Sequence, residues 1–255
     1  MHDPRMVGGS TAPWQKTQTL GSAPLSVAPY SCLRNDRTRG PSVIHELVEP
    51  APFAPFTAPA SSERIAQVVA ALGRHNIEGV VVDTGAEARS RILAMIPDGA
   101  EVHWGKSRTL DEIGLTPDML ASGRYDALRP RYMAMDRATQ GREIRKLVAA
   151  PDVMLGSVQA ITDDGALVVV SYAGSQIGPY ASGAGRVILV VGSQKIVTDL
   201  DEGLRRAREH VLPYEDADLR AQLGVPTKLA KLLVVFEEPR PGRTTVVLVR
   251  EPVGI

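Results

Sequence analysis

The printed sequence alternates short apolar runs with helical patterns from residue 61 onward. The run 79–83 (GVVVD) is apolar at consecutive positions, which is typical of a strand covered by helices on both faces and therefore of a mainly parallel sheet. Apolar residues at helical spacing between Ile65 and Leu72 predict a helix that Ser61 or Ser62 can cap. The order of such elements predicts an α/β fold, with a mostly parallel sheet flanked by helices and a smaller mixed or antiparallel β portion.

The same patterns locate the remaining elements of this region. Strands are predicted at 79–83, 101–104, 153–158, 166–171, 187–191, 232–236 and 244–250. Helices are predicted from the Ser61 or Ser62 cap to Gly73 or Asn76, and at 87–96, 110–113, 117–122, 137–149 and 199–211. The helix at 199–211 has acids in its first turn and basic residues or histidine towards its end, and this polarity complements the helix dipole.

Residues 1–60 differ from this pattern. They are rich in Pro, Ser, Thr and Gly and show almost no helical or strand periodicity, which predicts a largely disordered or extended arm, or a misassigned start of the gene. The short run 43–48 is the exception, and it is compatible with one helical turn or with a strand that docks on the body. Residues 61–255 are predicted to form one domain, and an arm of this kind makes a homodimer conceivable.

Composition narrows the possible partners and location of the chain. The 29 Lys and Arg residues balance the 29 Asp and Glu residues, so the chain has no general positive field for nucleic acid or an anionic membrane, and neither partner is expected. The single cysteine, Cys32, excludes an intrachain disulfide framework and a Cys-rich zinc or iron–sulfur site built by this chain alone. The five histidines lack metal-ligand spacing, no apolar run reaches membrane-spanning length, and the start lacks the apolar centre of a signal peptide. A cytoplasmic protein fits best.

The stretch VHWGKSRTLDEIGL, residues 102–115, places small residues in a turn between a strand and a helix. A P-loop would need another glycine five residues before Gly105, and the upstream Gly99 is one residue too far away. A glycine and small hydroxyl residues at a helix start can bind an anion through backbone N–H groups, so Gly105, Ser107 and Thr109 are candidate ligand-binding residues. The alternative is an ordinary turn in which Ser107 or Thr109 caps the helix.

Three residues between two apolar runs, Asp163, Asp164 and Gly165, form a second candidate. Asp-Gly is typical of a tight hairpin turn, which is the simpler interpretation. If the turn lies at the mouth of a cleft, Asp163 or Asp164 can serve as a general base or nucleophile, and Gly165 as part of the binding surface.

Two further segments supply candidate ligand contacts. Gly174, Ser175 and Gln176 lie in a small-residue segment that lets backbone approach a ligand closely, although close packing has the same requirement. Gly192 ends a buried apolar run, and Lys195 follows it. Because ligands of open α/β sheets gather at the carboxyl ends of strands, Lys195 is a candidate anion contact. An exposed loop lysine is the alternative.

Several strings in this order resemble the LUD domain family, long carried as a domain of unknown function and including the lactate utilization protein C type. They are VVVDTGAEARSRILAMIPDGAEVHWGKSRTLDEIGL (80–115), LGSVQAITDDGALVVV (155–170), GAGRVILVVGSQKIVTDLDEGLRRAREHVLP (183–213) and PRPGRTTVVLVREPVG (239–254). The resemblance covers about residues 61–255. It implies a fold like the NagB/RpiA/CoA-transferase group, an anion cradle at the Gly105–Thr109 turn, and a role near L-lactate oxidation beside iron–sulfur partner proteins.

The chain departs from that family pattern at three places. Family members often carry Thr-Glu-Asp-Gly or Glu-Thr-Gly where this chain has Thr162, Asp163, Asp164 and Gly165. Family members often carry Gly-Asn-Arg where this chain has Gly174, Ser175 and Gln176, so a bidentate carboxylate clamp is missing here. Some relatives place cysteines after the long helix, whereas residues 224–236 have none. No iron–sulfur cluster or metal site is therefore expected in this chain, and its cofactor, if it uses one, is unknown.

Two functions follow from the residues and the resemblance together. The first is an accessory or regulatory component of L-lactate or related hydroxy-acid utilization that binds a small anionic metabolite. The second is a stand-alone isomerase, acyl-transfer or cycloligase enzyme acting on a phosphorylated or carboxylated small molecule, for which fold-level analogy is the warrant. A structural protein with a vestigial cleft is a third possibility, and the sequence leaves open whether catalysis occurs.

Overall fold

The computed structural model describes residues 56–255. The strands are β1 (Glu78–Val82), β2 (Glu101–Trp104), β3 (Asp126–Ala127), β4 (Val153–Gly156), β5 (Ala160–Thr162), β6 (Leu167–Ser171), β7 (Arg186–Gly192), β8 (Ile196–Val197), β9 (Lys231–Val235) and β10 (Thr244–Val249). The α-helices are α1 (Ser62–Arg74), α2 (Gly85–Met95), α3 (Arg108–Glu112), α4 (Leu115–Ala121), α5 (Leu128–Met133), α6 (Gly141–Ala149), α7 (Leu200–Arg206) and α8 (Leu212–Leu223). A π-helical segment, Ala207–Val211, joins α7 to α8.

Two sheets organise these elements. The larger has six strands in the order β1-β10-β7-β4-β2-β3, and every neighbouring pair is parallel. The smaller has the order β8-β5-β6-β9, in which β5 and β8 pair in parallel and the other two pairs are antiparallel. The α/β class, the mostly parallel sheet and the smaller mixed portion predicted from the sequence are confirmed.

The large sheet is buried on both faces. In β7, Ile188 and Val190 belong to an apolar cluster that includes residues of α2, α3 and α4. The alternate residues Val187, Leu189 and Val191 belong to a second cluster, which includes residues of α1 and of the small sheet. Successive side chains of a strand point to opposite faces, so this separation follows from the strand period of two. It explains why the strands read as continuous apolar runs.

Local signals placed several boundaries correctly. Ser61 caps α1 by accepting a hydrogen bond from Arg64 N at 3.2 Å, and Thr84 caps α2 in the same way through Glu87 N at 3.2 Å. The predicted strand 101–104 coincides with β2. Each of these signals acts within four residues, which is why sequence pattern alone detects it.

The predicted helix at 137–149 begins four residues late, at Gly141. The reason is a side-chain turn in which the Asp136 carboxylate accepts from Ala138 N at 2.9 Å and from Thr139 Oγ1 at 2.8 Å. Such local bonds offer the backbone an alternative to helix, and they hold residues 136–139 outside α6.

The predicted end of the long helix at residue 211 is wrong, because α8 continues to Leu223. Pro213 lies in the first turn of α8, immediately after the π-helical segment. Proline lacks an N–H, and it is tolerated at the start of a helical segment, where the hydrogen-bond register changes. The short elements β3, β5, β8 and α5 had no sequence prediction.

The predicted arm lies almost entirely outside the described residues, as do the run 43–48 and Cys32. The described chain starts on the body, where Phe56 is buried and its ring lies 6.0 Å from that of His210. Within residues 56–255, no helix combines the length and hydropathy required to cross a bilayer.

Candidate functional site

A cleft lies at the carboxyl ends of three neighbouring strands of the large sheet. Residues 105–109 follow β2, Ser157 follows β4 and Lys195 follows β7, and all of them line it. Because these strands are parallel neighbours, their ends place residues that are far apart in sequence side by side. About 540 Å³ of space in and at the mouth of the cleft is free of protein atoms, and part of this space is open solvent.

Lys195 is the central side chain of this cleft. Its residue is 2% exposed, and its Nζ atom donates to Thr109 Oγ1 at 2.9 Å and to Ser157 Oγ at 3.0 Å. Burial, together with the positive charge of Arg206, lowers the pKa of Lys195 to about 7, although the more distant Glu112 and Glu215 act in the opposite direction. The exposed-loop interpretation of Lys195 is therefore wrong.

The backbone around Lys195 is fixed by a short 3-10 turn, Ser193–Lys195. Gln194 Nε2 donates to the carbonyl oxygens of Val253 at 3.0 Å and Gly254 at 3.2 Å. Gly192 is required beside this contact, since a Cβ there would lie 2.6 Å from Val253 N. The segment that follows β10 thus supports the turn that carries Lys195.

Gly254 brings this segment directly against the lysine. Its φ is +70°, a conformation that favours glycine, and its N–H donates to the Glu112 carboxylate. A Cβ at this position would lie 2.1 Å from Thr109 Oγ1 and 3.0 Å from Lys195 Nζ. Ile255 lines the cleft, and Gly254 packs against the amine at a position where only glycine fits.

Arg206 is a second buried cation near the cleft. Its residue is 0% exposed, and its Nη1 atom donates to the carbonyl oxygen of Gln159, with Ile255 O a further 3.5 Å contact. Its Nε and Nη2 atoms have no hydrogen-bond partner within residues 56–255. Burial lowers the pKa of Arg206 to about 10. Gln159 and Ile255 line the cleft, so Arg206 lies directly behind its wall.

The cations at the rim of the cleft are neutralised by carboxylates. Lys106 Nζ lies 3.3 Å from Glu215 Oε2 and also contacts the Asp218 carboxylate. Burial alone would lower the pKa of Lys106, but these two carboxylates outweigh it, and the pKa is raised. Arg108 contacts Glu112 and the hydroxyl of Tyr214. The rim therefore differs from the interior, where no Asp or Glu side chain is hydrogen-bonded to Lys195 or Arg206 among the described residues.

The turn after β2 contributes to the cleft mainly through Thr109. The Ser107 side chain caps α3 by accepting from Leu110 N at 3.4 Å, as one of the two sequence interpretations expected. Thr109 is buried and points towards Lys195. Gly105 lines the open part of the cleft. The anion-cradle interpretation of this turn remains a prediction.

The structure places the Asp163–Gly165 turn outside the cleft. The Asp163 carboxylate pairs with the Arg64 guanidinium of α1, with Oδ1 to Nε at 2.7 Å, and Asp164 accepts from the Thr162 hydroxyl. Gly165 has φ +90° and packs on α1, where a Cβ would lie 3.1 Å from Leu72 N. None of the three lines the cleft, so Asp163 and Asp164 are not brought together with Lys195. The hairpin interpretation describes this turn, which joins the antiparallel strands β5 and β6.

Only some of the other predicted ligand residues line the cleft. Gln176 lines the cleft, whereas Gly174 and Ser175 do not. Gly174 has φ +83°, and a Cβ there would lie 2.6 Å from the Lys231 side chain. Gly192 immediately precedes the 3-10 turn that carries Lys195. Of the three residues predicted in the small-residue segment, only Gln176 therefore reaches the cleft.

Sequence reasoning missed Ser157, Tyr180 and Arg206. Ser157 carried one detectable signal, because it immediately follows an apolar run at a strand end. Tyr180 is buried and lines the cleft, and Gly156 makes room for it, since a Cβ at Gly156 would lie 1.6 Å from the Tyr180 hydroxyl. The burial of Arg206 depends on contacts more than 40 residues away, so helical spacing alone could not distinguish it from the exposed Arg205.

Metal-ligating side chains do not cluster in the part of the chain that the structure describes: no group of three His, Cys, Asp or Glu residues is positioned to hold an ion. The cofactor prediction therefore stays a prediction.

Comparison with known proteins places this architecture in a family. The family model of the LUD domain matches residues 65–249. No curated protein matches the chain. A crystal structure of a DUF162 family protein from Deinococcus radiodurans is similar at 16% sequence identity, over 75% of this chain and 99% of that chain, with a TM-score of 0.41. The family match covers most of the chain and confirms the resemblance seen in the sequence, so the chain belongs to the LUD domain family.

Proposed function

We propose that this protein binds a small anionic metabolite in the Lys195 cleft, as an accessory or regulatory component of hydroxy-acid utilization. The LUD domain family is linked to lactate utilization. L-lactate and its oxidation product pyruvate are therefore the first candidate ligands, and both carry one carboxylate.

The observation that carries the proposal is the pairing of Lys195. A buried charge is expensive unless it is paired, and buried lysines normally contact a carboxylate. Lys195 contacts two neutral hydroxyls instead, Thr109 and Ser157, and it borders an open cleft. An anion entering this cleft would supply the missing negative charge, whereas the rim cation Lys106 already has its carboxylate partners.

A linkage between binding and protonation follows. The pKa of Lys195 is lowered to about 7, so near neutral pH the amine is only partly protonated. An anion binds the charged amine better and therefore raises its pKa in the complex. Affinity should be highest below about pH 7, where the amine is charged, and should weaken as the pH rises above that value.

A stand-alone enzyme is the second candidate function. The observation that favours it is the same lowered pKa, because a general acid or base works best when its pKa lies near the operating pH. Under this alternative, an isomerase, acyl-transfer or cycloligase reaction would use Lys195 to move a proton on a phosphorylated or carboxylated substrate.

A ligand panel tests the binding proposal. The melting temperature is measured with L-lactate, pyruvate, sugar phosphates, nucleotides, folates and acyl-CoA, since a ligand that binds the folded state raises it by mass action. The variants are Lys195→Met, which keeps the side-chain length without the charge, and Lys146→Met as a control on the exposed face of α6. We expect a shift that Lys146→Met retains and Lys195→Met loses. A shift retained by Lys195→Met, or no shift with any compound, would contradict the proposal.

The accessory role has its own test. The iron–sulfur proteins expected as partners would perform the redox chemistry, so the purified chain should bind its ligand without oxidising L-lactate when an artificial electron acceptor is present. Turnover by the purified chain would favour the enzyme alternative over the accessory role.

A further inference from the structure

We propose that the ligand of the cleft is a small oxo acid, and that the amine of Lys195 forms an imine with its carbonyl carbon. This inference deepens the proposed function and rests on it, because the same cleft must first bind the anion.

The contacts of the amine do not hold it in the charged form. A lysine that serves only as a counter-ion lies beside carboxylates. These keep its amine protonated, so the nitrogen has no free lone pair. Lys195 Nζ contacts Thr109 Oγ1 and Ser157 Oγ, and both hydroxyls are neutral. Desolvation of this kind is a recognised way to activate a lysine towards carbonyl compounds.

The charged groups around the amine act in both directions. Arg206 on α7 lowers the pKa of Lys195, whereas Glu112 on α3 and Glu215 on α8 raise it. Both carboxylates are engaged elsewhere, Glu112 with Arg108 and Glu215 with Lys106. His210, on the π-helical segment, has its own pKa lowered to about 4 by burial and by the nearby cations, so it is neutral near pH 7. The net result supports an amine with an available lone pair at neutral pH.

The second buried cation selects the kind of carbonyl compound. Arg206 lies behind the wall formed by Gln159 and Ile255, and two of its nitrogen atoms are unpaired within the described chain. Its positive potential in a poorly hydrated interior favours a carbonyl compound that carries a carboxylate over a neutral one. An oxo acid combines the two features that the cleft complements: an electrophilic carbon for Lys195 and a negative charge.

The reaction balances without a further reactant. The lone pair of Nζ attacks the carbonyl carbon, and a proton moves from nitrogen to the carbonyl oxygen to give a carbinolamine. Loss of that oxygen as water forms the C=N bond, and the reverse addition of water releases the oxo acid. Nothing is oxidised or reduced. The Thr109 hydroxyl accepts from Nζ at 2.9 Å and donates to Ser157 Oγ at 3.3 Å, so it can carry the proton once its own hydrogen turns to the substrate oxygen.

Borohydride trapping on the full chain tests the inference. Reduction converts an imine into a stable secondary amine, and the chain gains the mass of the oxo acid less one oxygen atom. The probes are pyruvate, glyoxylate, 2-oxobutyrate and 2-oxoglutarate. L-lactate, which lacks the carbonyl, and acetone, which lacks the carboxylate, serve as matched controls. Peptide mapping with a protease that does not cleave at lysine locates the adduct.

Two variants make the result interpretable. Lys195→Arg keeps the positive charge but removes the nucleophilic amine, and Lys146→Met removes an exposed lysine remote from the cleft. We expect an adduct at Lys195 in the wild type and in Lys146→Met, and at least about tenfold less in Lys195→Arg, since a guanidinium does not form this imine.

The outcomes separate this inference from the function on which it rests. If an oxo acid raises the melting temperature but no adduct forms with any of the four probes, the imine is excluded and anion binding stands. If no anion raises the melting temperature and no adduct forms, both are wrong. An adduct spread over surface lysines, equal in Lys195→Arg, would also overturn the inference.

Discussion

Lys195 Nζ lies 3.0 Å from Ser157 Oγ, although the two residues are 38 positions apart in the chain. Ser157 donates its own hydroxyl proton to Val190 O at 2.7 Å, so it can only accept from the lysine. The hydroxyl therefore solvates the amine in either protonation state without supplying charge. This arrangement keeps the amine in place while leaving its protonation to pH and to a ligand.

Stability should depend on pH through Lys195. Its pKa is about 7 in the folded chain and about 10.4 in the unfolded chain, so unfolding takes up a proton between these values and the fold is stabilised as the pH rises through that window. Lys195→Met removes this dependence. We expect the variant to exceed the wild type in unfolding free energy below pH 7, by an amount on the order of a few kcal/mol, and the difference to shrink towards pH 10. Denaturant titrations at several pH values measure it, and a difference independent of pH would exclude the lowered pKa.

Gly254→Ala should block the cleft rather than merely strain the backbone. The new Cβ would meet Thr109 Oγ1 and Lys195 Nζ. Gly224→Ala is the matched control, because Gly224 has φ +69° but no atom within 4 Å of the added Cβ. Both variants should lose about 1 kcal/mol of stability from the left-handed conformation, but only Gly254→Ala should lose ligand binding. Calorimetric titration with the ligand found in the panel distinguishes them, and equal binding by both would show that residues 253–255 do not limit access to the amine.

Asp163→Asn should leave ligand binding unchanged. Asp163 pairs with Arg64 at a partly exposed position outside the cleft, and such pairs contribute about 0–1 kcal/mol to stability. A small fall in the urea midpoint with unaltered affinity is the expected result. Lost affinity in a fully folded variant would restore the carboxylate to the site, as the sequence had suggested.

Acid should destabilise the fold through His103. The residue is buried on β2, and burial, helped by Arg129, lowers its pKa to about 4. Because the unfolded value is near 6.5, the stability contributed by the neutral imidazole is complete above pH 6.5 and is lost as the pH falls towards 4. Neither ring nitrogen has a hydrogen-bond partner within residues 56–255, and the ring packs edge-on against Tyr132 at 5.7 Å. His103→Phe should therefore keep the packing and reduce the fall in unfolding free energy between pH 6.5 and 4, and the part of the fall that remains comes from His210, whose pKa is also lowered to about 4. An unchanged acid profile would show that folding does not lower the pKa of His103.

The sequence predicted the features of this protein that depend on neighbouring residues. The caps of α1 and α3, and the strand period of β7, each arise within a few positions. The position of Lys195 at the carboxyl edge of the large sheet followed from a general rule for parallel sheets. Its burial did not follow, because burial requires the backbone of residues 253–255 to fold over it, about 60 residues later.

The Asp163–Gly165 turn shows what the local sequence could not predict, namely the position of the turn in the fold. Asp-Gly chemistry describes a turn well, but it does not determine the edge of the fold at which the turn lies. Packing of Gly165 against α1 decided that, through contacts almost 100 residues away. Arg206 was missed for a related reason, since its helix looks amphipathic whether the guanidinium is buried or exposed.

The position of β10 within the large sheet also determines when the sheet can finish folding during synthesis of the chain. β10 separates β1 from β7, and the Thr245 hydroxyl donates to the Glu78 carboxylate across 167 positions of the chain. Until β10 has left the ribosome, β1 has no neighbouring strand in the sheet. The apolar face of α1 also lacks the part of the sheet that β10 supplies. Non-local pairing of this kind closes a long loop before it gains any contact, which slows folding and leaves an apolar strand edge open to other chains in the meantime. β1 can therefore pair only after β10, which lies between β1 and β7, has been synthesised. Chains that lack β10 keep the open strand edge that favours aggregation.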